Sequence, residues 1–195
     1  LEKYLVHRGS DGLLYLGTVT WDGKKGVREN AEMEHLACFV PGWLVLGART
    51  EHGNSTREHR MELAANIAET CWQMYAKQPS KIAPERVKGM EMDLSRTDTR
   101  EYILRPEALE GWFYMHQATG DGKYRDWGWA VFQAFEKHLR VSAGYASLKD
   151  VRKPGGMMDR MESFFLAETL KYLFLLEDPD HGIDLDHYVF NTEAH

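Results

Sequence analysis

The sequence predicts an all-α protein built from antiparallel helix pairs, and three observations carry that expectation. Apolar residues recur at three- and four-residue spacing in several separate segments, the period of one helix face. Clusters of Pro, Gly and charged residues divide those segments, as helix stops and starts do. No convincing strand run stands out, although "VFN" at 189–191 could extend.

Taken in order, "LEKYL" at the N-terminus reads as the last turn of a helix cut into from upstream. Residues 34–48, "EHLACFVPGWLVLGA", are apolar, with Pro41-Gly42 in the middle. That pair is expected to break or kink a helix there. Met61, Ala64, Ile67, Ala68, Cys71, Met74 and Tyr75 give 57–77 the pattern of an amphipathic helix. Residues 79–104 hold Pro79, Pro84, Gly89 and many charges and read as a long loop, a length often functional. Pro106 falls where a first helical residue belongs. The helix it opens runs to about Ala118 and stops at Gly120. "TGDGKYRD" is then a hairpin connection to a helix over 126–140, with Val131, Phe132, Phe135 and Leu139 inward. After the loop "RKPGGMMD", residues 161–176 are apolar nearly all round, the mark of a deeply buried helix.

The 195 residues suit a single domain, and 43% hydrophobic content is enough for a core. A net charge of -6, with no basic run, argues against a nucleic-acid partner. No apolar run reaches the ~20 residues that would cross a bilayer. Both termini read as cuts through a larger protein. Six Trp, nine Tyr and eight Phe suit either a packed helical core or a surface that stacks sugar rings. Cys38 and Cys71 are open to two readings, buried free thiols or one disulfide in an oxidising compartment.

The informative charges are those set against apolar sequence. Glu107 and Glu110 open one helix in "LRPEALEGW", and Glu162 opens the most hydrophobic one. Glu193 follows Thr192 after "YVF", Glu85 follows Pro84, and His35 begins "HLACF". Each acid has an ordinary explanation, since a Glu in a first helical turn gains ~0.3–1 kcal/mol from the helix dipole. As a set they suit another chemistry. If the helix pairs close into a ring, such starts converge on one end. Convergent carboxylates fit glycoside hydrolysis, which needs one acid for the leaving oxygen and one carboxylate to activate water or attack. Others can bind sugar hydroxyls or a hard cation such as calcium.

"MEHLACFVPG", "LRPEALEGWFY", "MESFFLAETLKYLFLL" and "YVFNTEAH" resemble, in order and across nearly the whole chain, the class I α-1,2-mannosidases of glycoside hydrolase family 47. The resemblance implies an (α/α)7 barrel, of which residues 1–195 form the C-terminal portion, with the N-terminal half absent. It implies inverting, calcium-dependent removal of terminal α-1,2-linked mannose from high-mannose N-glycans. The ER or Golgi lumen, or secretion, is the implied setting.

Carried over by motif, Glu107 is similar to the general base. Arg105 and Glu110 look like sugar-binding or site-shaping neighbours, and His35 like a wall of the sugar site. Glu162, Glu193 and Glu85 look like members of an acidic ring. Thr192 looks like the Ca2+ ligand, through its hydroxyl and carbonyl. Cys38 and Cys71 match the family's disulfide pair. The chain departs from the pattern in three ways. The family's acid candidates lie upstream, Gly111 stands where a small hydroxyl residue is usual, and "LFLLEDPD" lacks an aromatic residue. A second reading therefore stays open, a non-catalytic glycan-binding or quality-control relative, or an inactive fragment.

Overall fold

The computed structural model describes residues 2–23, 26–88 and 99–195. Helix α1 (Glu2–Leu5) is a single turn. Strands β1 (Val6–Arg8) and β2 (Leu14–Leu16) pair antiparallel, and β3 (Thr18–Asp22) and β4 (Gly26–Asn30) form a solvent-exposed hairpin. β5 (Glu32–Glu34) then leads into a 3-10 turn over His35–Phe39.

Helix α2 (Val40–Arg49) continues directly from that turn. Pro41 was expected to break a helix, yet it lies in the first turn of α2. A first-turn N–H has no intrahelical acceptor, so proline loses nothing there. Helix α3 (Asn54–Ala76) follows the expected periodicity, with Leu63, Ala64, Ile67, Ala68, Cys71, Met74 and Tyr75 buried.

The segment read as one loop over 79–104 contains β6 (Arg86–Lys88), which pairs with β5 in the register Glu34 to Arg86. Residues 89–98 of that segment lie outside the described residues. Helix α4 (Glu107–Thr119) begins one residue later than read, with Pro106 as its flanking residue. It stops at Gly120, whose φ of 67° is the left-handed cap a residue without Cβ adopts freely. Helix α5 (Lys123–His138) follows, and β7 (Arg140–Val141) and β8 (Gly144–Tyr145) make a small ladder. A π-helical stretch, Phe165–Thr169, runs into α6 (Leu170–Glu177).

The four ladders are short and antiparallel, and they connect helices rather than build a layer. The helices remain the frame. Trp72 of α3 stacks on Trp127 of α5 at 5.5 Å, and Trp112 of α4 meets both edge-on. The Trp112 indole N–H also donates to the Ala68 carbonyl at 3.2 Å. A disulfide joins Cys38 and Cys71, tying the 3-10 turn to α3. Gly111 has a close-packing role, because a Cβ there would lie 2.6 Å from the Cys38 carbonyl oxygen. The apolar C-terminal helix is not buried all round as expected. Leu166 and Phe174 are 59% and 63% exposed, so one apolar face is open. No helix among the described residues is long and apolar enough to cross a membrane.

Candidate active site

The site is organised by the residues just before α4. Leu104 has φ 71°, a left-handed conformation that is strained for a residue with a branched side chain. Three elements hold it there. The Thr169 hydroxyl donates to the Leu104 carbonyl at 2.6 Å, and the Tyr102 hydroxyl to the Arg105 carbonyl at 2.9 Å. Glu85 accepts from the Ile103 N–H at 3.2 Å and from Arg105 Nε at 2.7 Å. The turn thus delivers Arg105 and Glu107 at a fixed angle to the first turn of α4.

Glu107 is the first residue of α4, where unpaired backbone N–H groups and the helix dipole favour a negative charge. One carboxylate oxygen lies 3.0 Å from His35 Nδ1, and the other 3.7 Å from Arg105 Nη1. His35 is fully buried, and its Nε2 lies 2.7 Å from the Tyr75 hydroxyl. Burial pushes the Glu107 carboxyl up, but the His35 contact, its own backbone N–H and Arg105 together hold it below the ordinary range. Arg105 stays firmly charged, because Glu85 and Glu107 offset its own burial.

The neighbouring acids behave in the opposite way. Glu110, one turn along α4, is pushed up to about 7 by burial and by the charges of Glu107 and Glu168, although a bond from the Tyr172 hydroxyl resists this. Glu168 is also pushed up to about 7, by burial and by Glu193 and Glu107. Glu107, Glu110, Glu168 and Glu193 therefore share one electrostatic field. Only Glu107 within it has a cation and an imidazole to hold its charge.

The C-terminal turn lies over this cluster. Phe190 packs on Phe113 of α4 and Tyr172 of α6, and Lys171 donates to the Ala194 carbonyl. The Asn191 side-chain oxygen accepts from the N–H groups of Glu193 and His195 at 2.9 and 3.0 Å, which leaves Thr192 exposed at the apex.

Among the residues picked out by sequence, His35, Glu85, Arg105, Glu107, Glu110 and Glu193 are thus linked, by contact or by charge. Glu162 stands apart. It pairs with Arg160 just before the helix, and it contributes to none of the shifts that link the other acids. Its place is taken by Glu168, buried within the π-helical stretch. A π turn widens the helix and is frequent at functional sites. The sequence did carry a signal for Glu168, a lone carboxylate in the middle of an apolar run. Phe164 is a second residue that sequence reasoning passed over; its ring centre lies 5.9 Å from the Arg105 guanidinium carbon.

Glu107 thus lies beside an arginine, with Glu110, Glu168 and Glu193 in the same electrostatic field. Residues 1–195 match the profile of glycosyl hydrolase family 47. The chain belongs to that family. It is 41% identical over 199 residues to mannosyl-oligosaccharide 1,2-alpha-mannosidase IA of Sus scrofa, covering 100% of this chain and 29% of that protein. It is 47% identical over 167 residues to a mannosyl-oligosaccharide 1,2-alpha-mannosidase of Arabidopsis thaliana, covering 84% of this chain and 29% of that one. The structure superposes on the alpha-1,2-mannosidase from Trichoderma reesei with a TM-score of 0.81 and 28% identity, covering 99% of this chain and 44% of the other. The helix pairs are therefore part of the (α/α)7 barrel of family 47. The chain spans less than a third of the length of the two curated family 47 relatives.

Proposed function

We propose that this chain is the C-terminal part of an inverting, calcium-dependent glycoside hydrolase that removes terminal α-1,2-linked mannose from high-mannose N-glycans. Glu107 carries the reading, as the one carboxylate of the acidic cluster with both a histidine and an arginine at hand. A general base must be ionised before the reaction and able to take a proton during it. Glu107 accepts the proton of the attacking water as oxygen bonds to the anomeric carbon and the glycosidic C–O bond breaks. Arg105 orients the carboxylate, and Glu110 and Glu168, partly protonated near neutrality, can both donate to and accept from sugar hydroxyls. The proton donor for the leaving oxygen belongs to the remaining barrel helices.

The donor set fits calcium. Thr192 offers a hydroxyl and a carbonyl oxygen at an exposed apex, and Glu168 and Glu193 repel one another in the same field. A divalent cation would relieve that repulsion. Among the described residues no group of three His, Cys, Asp or Glu forms a cage. Thr192 would therefore hold the ion with waters and sugar hydroxyls completing its shell, as a hard cation of flexible coordination allows. When bound, the ion would help orient the sugar ring.

Two open edges support a partner for this half of the ring. Leu36, Phe39 and Trp43 lie exposed at three- and four-residue spacing, and Trp129, Leu166 and Phe174 are exposed on α5 and the C-terminal helix. Apolar stripes of this kind suit the barrel's N-terminal helices. The setting is the secretory pathway, ER or Golgi lumen or beyond, because the disulfide needs an oxidising compartment.

Digestion of a high-mannose glycan by the complete protein, with the product anomer read by NMR, tests the reading. Release of β-mannose is expected, and Glu107→Gln should abolish release while glycan binding persists. Glycan binding by the wild type without release would favour a quality-control lectin, and full activity in the variant would remove Glu107 as the base.

A further inference from the structure

The first turn of α3, at the end of that helix far from the acidic site, carries the sequence Asn54-Ser55-Thr56. We propose that Asn54 is an N-glycosylation site. Asn-X-Thr with X other than proline is the acceptor pattern of the secretory pathway. All three residues are exposed.

The surroundings suit a modified asparagine. Arg60 pins the turn through the Gly47 carbonyl at 2.8 Å and Glu51 at 3.0 Å. Arg57 Nη2 donates to Asn54 Oδ1 at 3.0 Å, so the amide is engaged through its oxygen. Among the described residues Nδ2, the nitrogen that would carry the sugar, makes no hydrogen bond in the fold. A glycan there displaces no contact.

Position along the helix gives the glycan its direction. Tyr75, which contacts His35, lies 21 residues along α3 from Asn54, the difference of their two numbers. That is about 30 Å at the rise of an α-helix. The glycan therefore projects from the end of the helical layer away from Glu107 and leaves the acidic site open.

The co-reactant is an oligosaccharide linked to a lipid diphosphate. The bond between Asn54 Nδ2 and the anomeric carbon forms as the bond from that carbon to the diphosphate oxygen breaks. The lipid diphosphate leaves with the electron pair, and one amide proton passes to a base of the transferase. The disulfide supplies the compartment argument, so the inference depends on lumenal exposure rather than on mannose cleavage, and either can fail alone.

The test uses the complete protein secreted from eukaryotic cells. Intact mass is measured before and after an amidase that removes N-glycans and converts the acceptor to aspartate. A loss of mass is expected, with the conversion mapped to position 54. Thr56→Ala should abolish the loss while keeping the Asn54–Arg57 contact, and its activity should match the wild type. An unchanged mass in the disulfide-bonded wild type would overturn the proposal. So would a conversion mapped to another asparagine alone, or a glycan that survives Thr56→Ala.

Discussion

The Tyr75 hydroxyl lies 2.7 Å from Nε2 of His35, whose other ring nitrogen lies 3.0 Å from Glu107. The two contacts are linked by the imidazole. If Tyr75 donates to Nε2, the ring proton sits on Nδ1 and points at the carboxylate. Tyr75 can always donate, because burial pushes its hydroxyl far above the range in which it would ionise. Tyr102 spends its own proton on the Arg105 carbonyl. One tyrosine thus orients the histidine and the other the arginine. Tyr75→Phe should lower kcat about tenfold, roughly the 1.4 kcal/mol of one hydrogen bond, with little change in KM. Nitrogen-15 NMR of His35 checks the cause. The wild type should show Nδ1 protonated and Nε2 bare, whereas a protonated Nε2 would reverse the direction of the chain.

The acids predict how stability changes with pH. Glu110 and Glu168 sit at about 7, above the ordinary 4.5, so between those values the folded protein binds more protons than the unfolded one. Stability therefore falls as pH rises through that window. Glu107 is shifted the other way, and its contribution is lost only as pH drops below the ordinary value. The melting temperature should be higher at pH 5 than at pH 7.5, and Glu168→Gln should flatten the slope. Calcium, which favours ionised acids, should raise the melting temperature more at pH 7.5 than at pH 5. Thermal unfolding with and without a chelator measures both effects.

The disulfide closes a loop of 33 residues between the 3-10 turn that carries His35 and the helix that carries Tyr75. Cross-linking a loop of that size stabilises by about 3–4 kcal/mol in the chain-entropy account. Replacing both cysteines by serine should cost a similar amount in denaturant unfolding. It should also loosen the His35–Tyr75 contact, so activity should decline even at temperatures where the variant stays folded. Thiol labelling of the wild type should succeed only after reduction.

Local pattern was legible in this sequence, and long-range pairing was not. The periodicity over 57–77 found α3 within a few residues, and Gly120 marked the end of α4 because a left-handed cap favours glycine. The ladder between Glu34 and Arg86 could not be read, since three-residue strands are too short to show alternation and their partners lie far apart in sequence. Pro41 misled because a proline's effect depends on where the helix begins, which the apolar run over 34–48 did not reveal. At the site, motif and helix-start reasoning brought out Glu107, Arg105 and Glu110. The left-handed Leu104 is set by bonds that Tyr102 and Thr169 donate and Glu85 accepts, none of which a local pattern records.

The choice between Glu162 and Glu168 shows the same limit and gives the sharpest comparison. Both the helix-start pattern and the "MESF" motif favour Glu162. The π turn and the bond from Thr169 to Leu104 instead bring Glu168, further along the same segment, into the cluster. Glu168 shares its field with Glu107 and Glu193, whereas Glu162 is neutralised by Arg160. Glu162→Gln removes an ion pair that is partly open to water, worth up to about 1 kcal/mol, and should leave mannose release within a few-fold of the wild type. Glu168→Gln keeps shape and hydrogen bonding but removes a charge from the field of Glu107, Glu110 and Glu193. Release should fall at least tenfold, and the calcium concentration needed for half-maximal activity should rise. Paired measurement of kcat/KM and calcium dependence in the two variants decides between them. Equal losses would mean that both carboxylates act on the sugar, and a larger loss at Glu162 would restore the helix-start assignment.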